Sequence, residues 1–154
     1  MSPEQAANVW RQHCWPQKVQ RGIRLGAPSI TNAPHSIPWL QRFMDLTRDV
    51  PPDFTPIHIY TPDGNDFIRY AQKVRDTFGK PVWITEFANT KDNIYDQRGL
   101  MQQVRQWMDN QWWIDRYSWF GASRKNEHNI NTSSRLLNPD GSMTDLGYKF
   151  AFDD

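Results

Sequence analysis

The chain has 154 residues, enough for one domain with a real hydrophobic core. Its formal net charge of +1 makes no electrostatic case for nucleic acid or an anionic membrane as partner, and no apolar run approaches the roughly 20 residues that span a bilayer. Cys14 is the lone cysteine, the histidines (His13, His35, His58, His128) show no ligand spacing, and there is no Gly-rich phosphate loop, so no disulfide, metal or nucleotide cofactor is expected.

The opening Met1-Ser2-Pro3-Glu4 has no charged-then-apolar pattern, so no signal peptide is read there. Ser2-Pro3-Glu4-Gln5 is a helix start, with Ser as cap, Pro in the first turn and Gln three residues later. Ala6, Ala7, Trp10 and Cys14 then mark one helical face. The stretch GIRLGAPSI, residues 22 to 30, is expected to form a strand ending in a loop. Leu40, Phe43, Met44 and Thr47 keep a helical period up to the break at Pro51-Pro52. TPIHIYT (55–61) is a short strand, followed by a Pro-Asp-Gly turn. Phe67, Tyr70, Ala71, Val74 and Phe78 form an amphipathic helix closed by Gly79. PVWITEFA (81–88) is the next strand, Leu100 to Met108 another helix, and RYSWFGA (116–122) the last strand. A polar loop, the turn Asn138 to Gly141, and a short helix from Thr144 to Phe152 complete the chain.

Strands near residues 23, 56, 81 and 116 alternate with helices, which argues for parallel strands with crossover helices. Four such units make either half of a (β/α)8 TIM barrel or a small open α/β sheet, and no linker divides the chain. In both folds the active site lies at the carboxyl ends of the strands. Polar and aromatic residues gather there: Ser29 and Asn32, His58 and Tyr60, Glu86, Tyr117 and Trp119. Strict alternation puts Glu86 on the face of Val82 and Ile84, with Trp83 on the opposite face, packed against helices. A carboxylate among aliphatic side chains is costly unless something pairs with it or uses it. Eight Trp, five Tyr and eight Phe also suit a sugar cleft, where flat rings stack on sugar faces. Trp10, Trp107, Trp112 and Trp113 follow helical segments and are read as core; Trp39 is ambiguous.

The strings LGAPSITNAP, WLQRFM, DFTPIHIYTP, FGKPVWITEFA, RYSWFGA and LLNPDGSMTDLGYKF run in order from about Ser2 to Phe150. Together they resemble the glycosyl-hydrolase catalytic-core family. That family contains β-1,3-glucanases and fungal alkali-sensitive-linkage cell-wall proteins, within the clan of retaining (β/α)8 glycosidases. The resemblance implies that the chain is the last four β/α units of one catalytic domain, residues 1–154, with β-1,3-glucan as substrate and an extracellular or cell-wall location. It implies Glu86 as nucleophile at the end of the barrel's seventh strand. His58 and Tyr60 match the sixth-strand pair beside it, Tyr60 as a hydrogen-bond donor that holds the carboxylate ionised. Trp119 matches an aromatic flooring the cleaved sugar's subsite, and Asn32 a hydroxyl contact; Tyr117 is a further rim residue.

A retaining mechanism needs a second carboxyl group roughly 5 Å from the nucleophile. In this clan it ends the fourth strand, so the resemblance implies that it lies upstream of Met1. The other glutamates here are Glu4, in the first helical turn, and Glu127, in the loop after the last strand on the correct rim. Asp92 and Asp96 are read as loop or helix-start residues. Two functions stay open: a β-1,3-glucan hydrolase, or a truncated non-catalytic remnant that binds glucan weakly or has no sugar function at all. Asn131-Thr132-Ser133 matches the N-glycosylation acceptor pattern. Half a barrel leaves two sheet edges unpaired, so self-association is expected.

Overall fold

The computed structural model describes residues 1–125 and 131–152. The first helical stretch is α1 (Pro3–Val9), a π-helical turn (Trp10–Cys14) and α2 (Trp15–Arg21). Ser2 and Gln5 form the expected capping box. The π turn was not expected. It sits just before Pro16, which has no N–H to continue the regular ladder, and the Trp15 N–H bonds the Trp10 carbonyl instead. Gly22 ends the stretch at φ 67°.

Four parallel strands follow in simple sequence order: β1 (Ile30–Thr31), β2 (Thr55–Tyr60), β3 (Val82–Ala88) and β4 (Ile114–Trp119). Their helices are α3 (Ser36–Leu46), α4 (Gly64–Phe78), α5 (Ile94–Asp109) and α6 (Asp145–Phe152). The expected alternation is therefore present. The first strand is much shorter than expected. Gly26 makes one isolated bridge to Phe54, and regular pairing begins only at Ile30. Pro28 cannot donate to a ladder, and Gly26 lies so close to Phe54 that a β-carbon there would sit 2.6 Å from the ring.

The sheet has one face packed on helices and one facing the site. Register fixes which residues lie where. Ile57 pairs with Ile84 and Ile59 with Phe87, all fully buried. Phe87 meets Phe67 of α4 and Phe150 of α6, so this is the helix side. Pro56 pairs with Trp83, His58 with Glu86 and Tyr60 with Ala88 on the other side. A β-bulge at Thr85 inserts one residue between Ile84 and Glu86. It reverses the expected alternation: Glu86 shares the face of Trp83, not that of Val82 and Ile84. Trp83 likewise does not pack on helices. It stacks on Phe54 at 4.0 Å, with the Arg24 and Arg116 guanidinium groups near its ring. Trp10 and Trp113 are core residues as expected, whereas Trp112 is 82% exposed.

Candidate active site

β2 ends in His58 and Tyr60, two apart and therefore on one face. The bulge in β3 aims Glu86 at the same spot. Tyr60 Oη donates to Glu86 Oε2 at 2.5 Å, and His58 Nδ1 lies 3.2 Å from that same oxygen. The His58 contact is a close approach of the ring nitrogen to the carboxylate oxygen that already accepts the Tyr60 hydroxyl. Among the described residues nothing donates to the other oxygen, Oε1. The carboxylate is thus gripped by one oxygen and presents the other. Burial, then the hydrogen bond and charge of Glu86, push the Tyr60 hydroxyl well above its ordinary pKa. It stays a proton donor through the physiological range.

Glu86 opens into a cavity of about 460 Å³, lined also by Tyr60, Ala88, Asn89, Thr90, Phe120, Asn131 and Ser134. Phe120 meets the Tyr60 ring edge-to-face, with centroids 5.5 Å apart. Asn131 Nδ2 donates to the carbonyls of Asn89 and Thr90. Ser133 gives Asp92 both its N–H (2.8 Å) and its hydroxyl (2.6 Å). These bonds clasp the loop after β4 to the loop after β3 and close one wall of the cavity. They also hold the Asp92 carboxyl below its ordinary pKa, the Ser133 hydroxyl being the larger influence. Gly121 permits the arrangement, since a β-carbon there would meet the Ser134 carbonyl at 2.0 Å.

The expected site residues divide. Glu86, His58 and Tyr60 come together. Asn32 lies behind them: its carboxamide donates to the Tyr60 carbonyl at 3.0 Å and accepts the Tyr60 N–H at 3.4 Å, so it holds the β2 backbone. Tyr117 and Trp119 do not join the cluster. They pair in register with Ile84 and Phe87, which puts them on the helix side. Tyr117 Oη donates to Asp109 on α5, and Trp119, 2% exposed, donates to the Ser134 carbonyl. Phe120, one residue on, is the aromatic facing Glu86. Glu127 and His128 lie outside the described residues. Asp92 is a loop residue and Asp96 lies in the first turn of α5, both as read. Sequence reasoning missed Phe120, Asn89 and Ser134, and took Asn131 only as a glycosylation signal.

No second carboxylate among the described residues lines the cavity, and none of the described residues form a metal-ligating cluster. A further cavity of about 510 Å³ lies between α5 and α6, lined by Arg98, Arg105 and Phe152 among others. It holds none of the Glu86 cluster.

The model of the glycosyl hydrolase catalytic core family matches residues 1–150. The chain is 27% identical over 149 residues to alkali-sensitive linkage protein 1 of Schizosaccharomyces pombe, covering 92% of this chain and 28% of that protein. Its fold matches the crystal structure of a GH128 (subgroup VI) exo-β-1,3-glucanase from Aureobasidium namibiae, with TM-score 0.92 and 32% identity, over 97% of this chain and 61% of that one. It also matches a GH128 (subgroup V) exo-β-1,3-glucanase from Cryptococcus neoformans, with TM-score 0.87 and 27% identity, over 97% and 62% respectively. The chain thus spans under two thirds of the length of these relatives. Its four parallel β/α units are part of a (β/α)8 fold, and the chain belongs to the glycosyl hydrolase catalytic core family.

Proposed function

We propose that the chain carries the nucleophile side of a retaining β-1,3-glucan hydrolase, with Glu86 as nucleophile. One observation carries the reading: Tyr60 donates to Glu86 Oε2, with His58 Nδ1 3.2 Å from the same oxygen, and Glu86 lines the cavity. A donor on one oxygen fixes the carboxylate in direction. Oε1 then attacks the anomeric carbon of a bound glucosyl unit. The bond to the leaving oxygen breaks, and a glycosyl ester forms on Glu86. A second carboxyl group gives the leaving oxygen its proton, then takes one from the water that cleaves the ester. We place that group outside this chain, on the fourth strand of the complete barrel. The two exo-β-1,3-glucanases that this chain resembles support the substrate class, and with it we propose a location outside the cell or in its wall. Phe120 supplies the apolar wall for the sugar, in the role first read for Trp119.

A second reading is favoured because Glu86 is the one carboxylate among the described residues lining the cavity: the chain binds glucan without cleaving it. Two measurements with a soluble β-1,3-gluco-oligosaccharide, made on this chain within the complete barrel that supplies the second carboxyl group, separate them. Binding and turnover that both require an intact cleft, with turnover abolished in Glu86→Gln, support the hydrolase. Binding without turnover, equal in wild type and Glu86→Gln, supports the binding module. Absence of both overturns the glucan reading.

A further inference from the structure

The turn Asn110–Trp113 before β4 carries two adjacent tryptophans that part company. Trp113 turns inward, 8% exposed, and meets Trp107 with ring centroids 5.7 Å apart. Trp112 turns outward. Of the eight tryptophans it alone is an exposed residue, at 82%. Its loop is pinned on both sides: the Trp113 carbonyl accepts the Val82 N–H at 2.8 Å, the Gln111 N–H reaches the Met108 carbonyl at 2.9 Å, and the Ile114 N–H reaches the Gln111 carbonyl at 3.0 Å. The Arg75 guanidinium at the end of α4 lies 5.1 Å from the Trp112 ring centroid. A cation on one face fixes the ring plane, and with 82% exposure the ring keeps open surface for a partner. Fixing the plane in advance lowers the ordering cost of binding.

The chemistry suits a sugar. The axial C–H bonds of a pyranose face carry partial positive charge and stack on the negative face of an indole. Trp112 is at the amino end of the strands, beside Val82, whereas Glu86 is near their carboxyl end, roughly 13 Å further along β3 at ~3.3 Å per residue. A ring at that distance cannot be a subsite of the Glu86 cavity. We propose that Trp112 is a stacking platform for β-1,3-glucan, a second carbohydrate site that holds the polymer away from the Glu86 cleft. The proposal rests on the glucan reading above.

The test uses the ¹⁵N-labelled chain titrated with a β-1,3-linked glucose hexamer. The Trp112 indole N–H signal is identified by its loss in Trp112→Ser, and the amides of Thr90 and Asn131 report on the cleft. The expected result is a saturable shift of the Trp112 signal, with cleft amides in Trp112→Ser still moving as in wild type. Retention of Trp112→Ser on insoluble β-1,3-glucan should fall about fivefold or more, as expected for one lost aromatic stack. Cleft amides that move while Trp112 stays still overturn the platform and leave the Glu86 reading standing. A moving Trp112 with a silent cleft supports the platform and overturns that reading. No movement at either place overturns both.

Discussion

Tyr60 Oη donates to Glu86 Oε2, the same oxygen that His58 Nδ1 approaches, so the carboxylate is held through one oxygen at the cavity that Glu86 and Tyr60 both line. Removing the hydroxyl in Tyr60→Phe keeps the ring and its edge-to-face contact with Phe120. A hydrogen bond to a charged group is worth about 1.5–3 kcal/mol. In an active hydrolase carrying this site, kcat should therefore fall about 10- to 100-fold with KM nearly unchanged, as steady-state kinetics would show. Equal loss in kcat and in sugar affinity would assign Tyr60 to substrate binding instead.

Replacing Glu86 by Gln keeps the shape of the side chain and removes its nucleophilic oxygen. Turnover should drop by on the order of 10³-fold or more. Affinity for a β-1,3-gluco-oligosaccharide, measured by calorimetry, should stay within a few fold.

The clasp between Ser133 and Asp92 predicts a pH dependence. The two Ser133 donors lower the Asp92 pKa from its ordinary 3.8. The folded pKa is below the unfolded one, so the clasp contributes fully above the unfolded value and is lost as pH falls through the folded value. An NMR titration should find the Ser133 amide shift changing with a midpoint below 3.8. A midpoint at or above the ordinary value would show that the clasp does not hold Asp92 in solution.

Phe87 is fully buried between the sheet and the helices, touching Phe67, Tyr117, Trp119 and Phe150. Phe87→Ala should cost about 3–5 kcal/mol, read from the denaturant midpoint. The change lies one residue from Glu86, so cleft binding should weaken with it.

Both ends of the sheet, β1 and β4, lack a strand neighbour among the described residues. An unpaired parallel edge is a template for association. We expect the isolated chain to self-associate, which light scattering during size-exclusion chromatography would detect as a mass above 18.2 kDa. A monomer with one cooperative unfolding transition would contradict this.

The units of this fold were legible wherever periodicity was strong. Phe67, Ala71 and Val74 marked α4, and Gly79 closed it at φ 64°. The meeting of Tyr60 with Glu86 was implied by the family resemblance, and the structure shows it. Three things were not legible. The bulge at Thr85 depends on pairing with both neighbours, and no local residue announces it, so the face of Glu86 was read inverted. Irregular register between β3 and β4 likewise turned Tyr117 and Trp119 to the helices and Phe120 to the site. The clasp of Asn131 joins residues some 40 positions apart, beyond the reach of any local pattern.

The central claim is that Glu86 attacks an anomeric carbon. A 2-deoxy-2-fluoro-β-glucosyl fluoride of the β-1,3 series tests it most directly. Fluoride leaves without an acid's proton, so the second carboxyl group is not needed, and the 2-fluoro group slows release of the ester. After incubation, peptide mass spectrometry should find the fluoroglycosyl adduct on Glu86, and no adduct in Glu86→Gln. An adduct on another carboxylate, or an unlabelled chain, would contradict the account.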